Sequence, residues 1–288
     1  MSSLDIHQSM EERQGLVNPT STSQPAPAEN PHDKMIPELI EEALEKAGLM
    51  KQLRPYIGGT GQIRNETIRQ ILAEFWGTLI FQMFGGSAPN KDTSAPAANG
   101  FALVAAIYAF CNISGGHLNP AVTFALMCTG HMKWWKGLMY MCAQILGAIF
   151  GALIYAALIP QLHIGGGNSS PGCFGPAQGT NWSEVFGWET MMTFSLVMTV
   201  YASAVSKPGH GNTAPLAIGL SLYAAAISGG PYTGASLNPA RTIGPAVVFV
   251  CNVGVSFIYI IAEFFGAACA AGLSIFLYGR NPDLKHQD

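Results

Sequence analysis

Ser114-Gly-Gly-His-Leu-Asn-Pro-Ala-Val-Thr123 and Thr233-Gly-Ala-Ser-Leu-Asn-Pro-Ala-Arg-Thr242 are one stretch written twice, 119 residues apart, with identical residues at six of ten positions. Each copy reads as a helix start. Asn119 or Asn238 stands at the N-cap, and Pro120 or Pro239 takes the first helical position, where a missing N–H is harmless. Ala121 and Ala240 follow. The first of these helices runs from Pro120 to Thr129, before Gly130, and so spans about 15 Å. That is half of a roughly 30 Å hydrocarbon core. A lone Asn-Pro is a turn or helix-start signal and no more. Two matched copies in an apolar chain, one with Arg241 just past its cap, point instead to discontinuous helices lining a cavity.

The composition agrees with a membrane bundle. Apolar residues make up 49% of the 288 and charged ones 11%, too little charge for an ordinary soluble chain. A net charge of −3 suggests no nucleic-acid partner. Six cysteines show no metal-ligand spacing, and no cofactor or metal is expected. Residues 1–35 are polar, without apolar period, and read as a disordered tail with no cleavable signal. Residues 36–54 read as an amphipathic helix, and 279–288 as a short second tail.

Apolar spans are expected at about 67–88, 98–113, 135–159, 185–205, 213–230 and 253–278. The repeat reaches beyond the motif: Ala143-Gln-Ile-Leu-Gly-Ala148 matches Ala262-Glu-Phe-Phe-Gly-Ala267 at the same offset, and Glu74 and Glu189 each precede one copy. With three full spans per half, the second half must run inverted relative to the first. The expected fold is therefore an all-α membrane protein of six transmembrane helices plus two re-entrant half-helices in an inverted repeat. Its channel domain covers 67–278, with halves of about 67–159 and 185–278. Lys and Arg gather in one set of loops (Arg64, Arg69, Lys133, Lys136, Lys207, Arg280), which predicts cytosolic termini. Cys173 and Cys251 then fall on the same face, so a disulfide is open to them, although sequence gives no distance.

The doubled Asn-Pro-Ala, in this context, resembles the signature of the aquaporin family, the major intrinsic proteins. The resemblance covers about 67–278 and implies a passive channel for water and small neutral solutes such as hydrogen peroxide, urea and glycerol. It implies a homotetramer in a lipid bilayer, with the plasma membrane as the first expectation and an internal membrane as the second. Two alternatives stay open: a solute facilitator for which water is secondary, and a non-conducting membrane protein of the same fold. Gly147, Ala148, Gly151 and Ala152 suit close helix packing, between subunits or within one.

If the halves are inverted, the half-helix N-termini meet near mid-membrane, each carrying roughly half a positive charge. Each Asn carbonyl oxygen caps its own helix and leaves the NH₂ free to donate into the pore. The residues before the caps, Gly115, Gly116 and His117 and then Gly234 and Ser236, are expected to run extended, with carbonyls along the path. With no second His or Cys nearby, His117 reads as structural rather than as a ligand. Arg241 inside the membrane costs at least about 2.5 kcal/mol on insertion scales, which argues for function. By resemblance it forms the narrowest constriction with Asn99, Ala226 and Ala235, while Glu74, Glu189 and Glu263 hold the backbone amides of the pore loops. Water-only relatives carry an aromatic ring and an imidazole in that constriction. This ring of four carries neither, which predicts a wider filter.

Overall fold

In a computed structural model, the described residues, 65–88 and 94–279, form eight α-helices and no strand. The expected tail at 1–35, the amphipathic segment at 36–54 and residues 280–288 lie outside the described residues.

The first half contributes α1 (Asn65–Gly86), α2 (Ser94–Ser114), the short α3 (Pro120–Cys128) and α4 (Trp134–Leu158). The second contributes α5 (Trp182–Val200), α6 (Ala214–Thr233), the short α7 (Pro239–Phe249) and α8 (Val253–Tyr278). A π-helical turn over Tyr201–Val205 extends α5 to the length expected of that span. Six long helices and two half-helices thus stand where the sequence puts them. Four of the long ones (α2, α4, α8, and α6 with the turn before it) are apolar enough to cross a membrane by composition alone. α1 and α5 are diluted by Glu66, Arg69 and Glu74 and by Glu184 and Glu189.

Polarity is distributed inside out. Phe276, Phe257 and Ile261 project outward, whereas Glu74, Gln82, Gln144, Glu189, Arg241 and Glu263 are buried. A chain solvated by hydrocarbon can expose large apolar side chains freely but must enclose its charges.

Small residues set the helix spacing. A methyl group added at Gly147 of α4 would meet the Phe75 carbonyl oxygen of α1, and one at Gly266 of α8 would meet the Thr190 carbonyl oxygen of α5. These are equivalent contacts in the two halves. Gly151 packs on the Leu79 carbonyl of α1, and Ala148 sits against Gly244 of α7. The small residues of α4 therefore serve packing within the chain, which decides between the two uses left open by sequence.

A long irregular loop, 159–181, joins the halves. It is tied to the end of α7 by the Cys173–Cys251 disulfide, whose Cα atoms are 6.0 Å apart. Further ties run from the amides of Gly165 and Gly167 to the carbonyls of Val248 and Phe249, each at 2.9 Å.

Candidate functional site

Both short helices begin as their sequences dictate. Asn119 and Asn238 are extended (φ −157° and −154°), and Oδ1 accepts from the amide of Ala121 at 2.8 Å and of Ala240 at 2.9 Å. The expectation of a wholly free NH₂ needs correction. Asn119 Nδ2 donates to the Leu237 carbonyl and Asn238 Nδ2 to the Leu118 carbonyl, both at 2.8 Å. Each cap thus reaches into the other half's loop, so the two N-termini abut across a pseudo-twofold axis. One N–H of each amide is left over, since a primary amide carries two.

The approaches to the caps are not extended. Gly115, Gly116 and Leu118 have φ of 92°, 62° and 51°, and Gly234, Ala235 and Leu237 have 84°, 56° and 55°. Left-handed backbone at three non-glycine residues is costly unless the surroundings enforce it. Buried carboxylates do so. Glu74 accepts from the amides of His117 (3.0 Å) and Leu118 (2.7 Å) and from the Ser114 hydroxyl (2.6 Å). Glu189 accepts from the amides of Ser236 (3.2 Å) and Leu237 (3.0 Å) and from the Thr233 hydroxyl (2.6 Å). Glu263 adds the amide of Asn238 and the Thr242 hydroxyl, each at 3.1 Å. Its counterpart in the first half, Gln144, donates to Glu74 at 2.8 Å and to Thr123 at 2.9 Å. His117 turns Nδ1 to Thr123 Oγ1 at 3.1 Å and lies edge-on to Tyr140.

Two cavities flank this centre. The larger, about 820 Å³, reaches Gly115, Gly116, His117, Asn119, Ser236 and Asn238, with Phe81 and Cys111 on its wall. The smaller, about 490 Å³, is lined by Asn99, Ala226, Gly234 and Arg241. Three of the four residues expected in the constriction therefore share one cavity. Ala235 lines neither; its carbonyl, with that of Ser236, accepts from Arg241 Nη1 at 3.3 and 2.9 Å. Asn99 folds its Nδ2 back onto the Ala95 carbonyl at 2.9 Å, leaving Oδ1 without a protein partner.

The four-residue reading missed two aromatic rings. Arg241 Cζ lies 5.1 Å from the ring centre of Phe174 and 5.3 Å from that of Phe81, within cation–π range. Phe174 also lines the smaller cavity beside Asn99 and Ala226. The ring of four itself carries no aromatic side chain, but Phe174 stands beside it. Phe174 belongs to the 159–181 loop, and no periodicity marks a loop residue as pore-facing.

The family model described as Major intrinsic protein matches residues 62–274. Aquaporin TIP1-2 of Musa acuminata is 40% identical over 233 residues, covering 75% of this chain and 89% of the relative. Aquaporin TIP1-1 of Arabidopsis thaliana is 40% identical over 201 residues, covering 64% and 77%. Among solved structures, the aquaglyceroporin from Plasmodium falciparum superposes with a TM-score of 0.63 at 22% identity, over 72% of this chain and 95% of that one, a likeness of fold.

Proposed function

The chain belongs to the major intrinsic protein family, and from that membership and the geometry above we propose that it is a passive pore for water that also admits small neutral solutes. Members of the family are channels and not enzymes. The observation that carries the reading is the crossed pair of caps, Asn119 Nδ2 to Leu237 and Asn238 Nδ2 to Leu118, which brings the two half-helix N-termini together. A water passing between them meets donors from both sides and turns its oxygen inward. Its hydrogens then point away along the file, which interrupts a proton wire. The paired dipole ends, roughly half a charge each, and Arg241 beyond them oppose cations.

Width decides which solutes follow water. Asn99 and Ala226 leave space that Phe174 partly takes back, so hydrogen peroxide and urea pass and glycerol, the largest, passes least. The termini are cytosolic on the basic-loop bias, and the subunits assemble as tetramers through their outward apolar faces. The relatives are of the TIP type, so the membrane is read as the one that such aquaporins occupy, ahead of the plasma membrane expected from sequence. Stopped-flow swelling of proteoliposomes in water, urea and glycerol gradients tests the central reading. Water flux no faster than through empty liposomes would defeat it.

A further inference from the structure

We propose that the Cys173–Cys251 disulfide is a specificity clamp, which holds Phe174 in the Arg241 constriction and so sets the largest solute the pore admits. The inference rests on the channel reading above.

Adjacency carries the argument. Cys173 immediately precedes Phe174, and Cys251 immediately follows the turn that ends α7, the helix on which Arg241 sits. Next to the bridge, Asn252 Nδ2 donates to the Phe174 carbonyl at 2.8 Å. Two consecutive residues at the end of α7 therefore grip two consecutive residues of the loop. The anchors of the ring that lies against the cation thus follow directly on the helix that carries the cation, which limits how far the two can separate while both ties hold.

Phe174 is buried, and its other contacts are apolar: it packs with Val185 and Tyr259, whose ring centre is 6.2 Å from its own, with Val255 and Ile258 beside them, and with the Gly234 backbone, where an added Cβ would come within 3.0 Å of its ring. The bridge and the Asn252 bond are what hold its backbone. Of the loop's other anchors, Tyr155 Oη to the Pro171 carbonyl (3.0 Å) and the Ala177 amide to the Tyr232 carbonyl (2.9 Å) act several atoms away along the chain, and those at Gly165, Gly167 and Asn168 lie farther off. A bridge placed solely to stabilise the fold could close this 78-residue separation from many loop positions. Here it abuts Phe174, whose ring lies against Arg241 and lines the cavity.

Cleaving the bridge tests the clamp. A water-soluble phosphine takes the oxygen of one water to become the phosphine oxide. The S–S bond accepts two electrons, and the two protons of that water complete thiols at Cys173 and Cys251. Cys111, Cys128, Cys142 and Cys269 are already thiols and are unchanged, so titrating two new thiols verifies the step. In proteoliposomes of the oxidised protein, the glycerol-to-water permeability ratio is expected to rise by about threefold or more on reduction, with water flux retained. The Cys173→Ser/Cys251→Ser variant should show the same rise without reductant. Phe174→Ala should also show it, and phosphine should then add nothing. If the double variant does not fold, reduction of the wild type and Phe174→Ala carry the test. A ratio unmoved by verified reduction, even with a lowered thermal midpoint, would make the bridge purely structural and overturn the proposal. Oxidised protein that conducts no water would overturn the channel reading, and the clamp with it.

Discussion

Arg241 shows how a single buried cation is accommodated. Its Nη1 is bonded to two carbonyls, its guanidinium lies within cation–π range of two aromatic rings, and no residue of the ring of four supplies those rings. On the proposed reading, solute size is decided by the neighbours of Arg241 and charge by Arg241 and the caps. Asn99→Phe with Ala226→His refills the space beside Arg241 and should abolish glycerol and urea flux while leaving water flux, as read by stopped-flow light scattering. The buried acids differ in what their loss exposes. Removing Glu189 strands the amides of Ser236 and Leu237 and the Thr233 hydroxyl, at about 1–3 kcal/mol for each group left unsatisfied. Glu189→Ala should therefore lower the thermal midpoint sharply. Glu263→Gln places at 263 the amide that Gln144 already uses in the equivalent setting, and should shift stability by less than about 1 kcal/mol.

Helix contacts in the two halves repeat in detail. Tyr140 Oη donates to the Ser114 carbonyl at 3.0 Å as Tyr259 Oη does to the Thr233 carbonyl at 2.7 Å, and Gly147 and Gly266 pack on matching carbonyls. Those carbonyls belong to rigid helix backbone and cannot give way. Gly147→Val or Gly266→Val should each destabilise by about 1–3 kcal/mol, measured as the loss of monodisperse protein on heating in detergent. The turn after α3 supplies a pH effect. His131 Nδ1 lies 2.8 Å from Thr129 Oγ1, which lies 2.8 Å from the Tyr201 hydroxyl. Partial burial holds the His131 imidazole below its ordinary 6.5. Above 6.5 both folded and unfolded chains keep the ring neutral and nothing is gained. As pH falls through 6.5 the unfolded chain takes up the proton first, so stability declines until the folded ring also titrates. Thermal midpoints taken down to about pH 5 should show a small decline that His131→Gln flattens.

At the scale of the molecule, the outward faces carry large apolar side chains and the small residues of α4 are consumed internally. In the tetramer proposed above, subunit contacts would use the outward apolar faces, not the Gly147 and Gly151 stripe. Native mass spectrometry in mild detergent should report four copies, and a stable monomer would count against the assembly. Gly147→Val, if it folds, should leave that mass unchanged, because its contact lies within one chain.

The sequence alone determined the helices of the described residues, the repeat, the caps and the buried acids, because each leaves a local mark: an apolar run, a 119-residue offset, an Asn-Pro pair, a charge inside a span. Local rules could not give the backbone before the caps. Leu118 and Leu237 adopt left-handed φ where Glu74 and Glu189, more than forty residues away, collect their amides, and Ala235 does so with its amide on the Thr233 hydroxyl that Glu189 holds. The sequence left the cysteine pairing open, since spacing along a chain carries no distance across it. Only the tertiary structure brings Phe174 to Arg241. A loop has no period to show which way its side chains face, and this one is placed by contacts with α7 and α8.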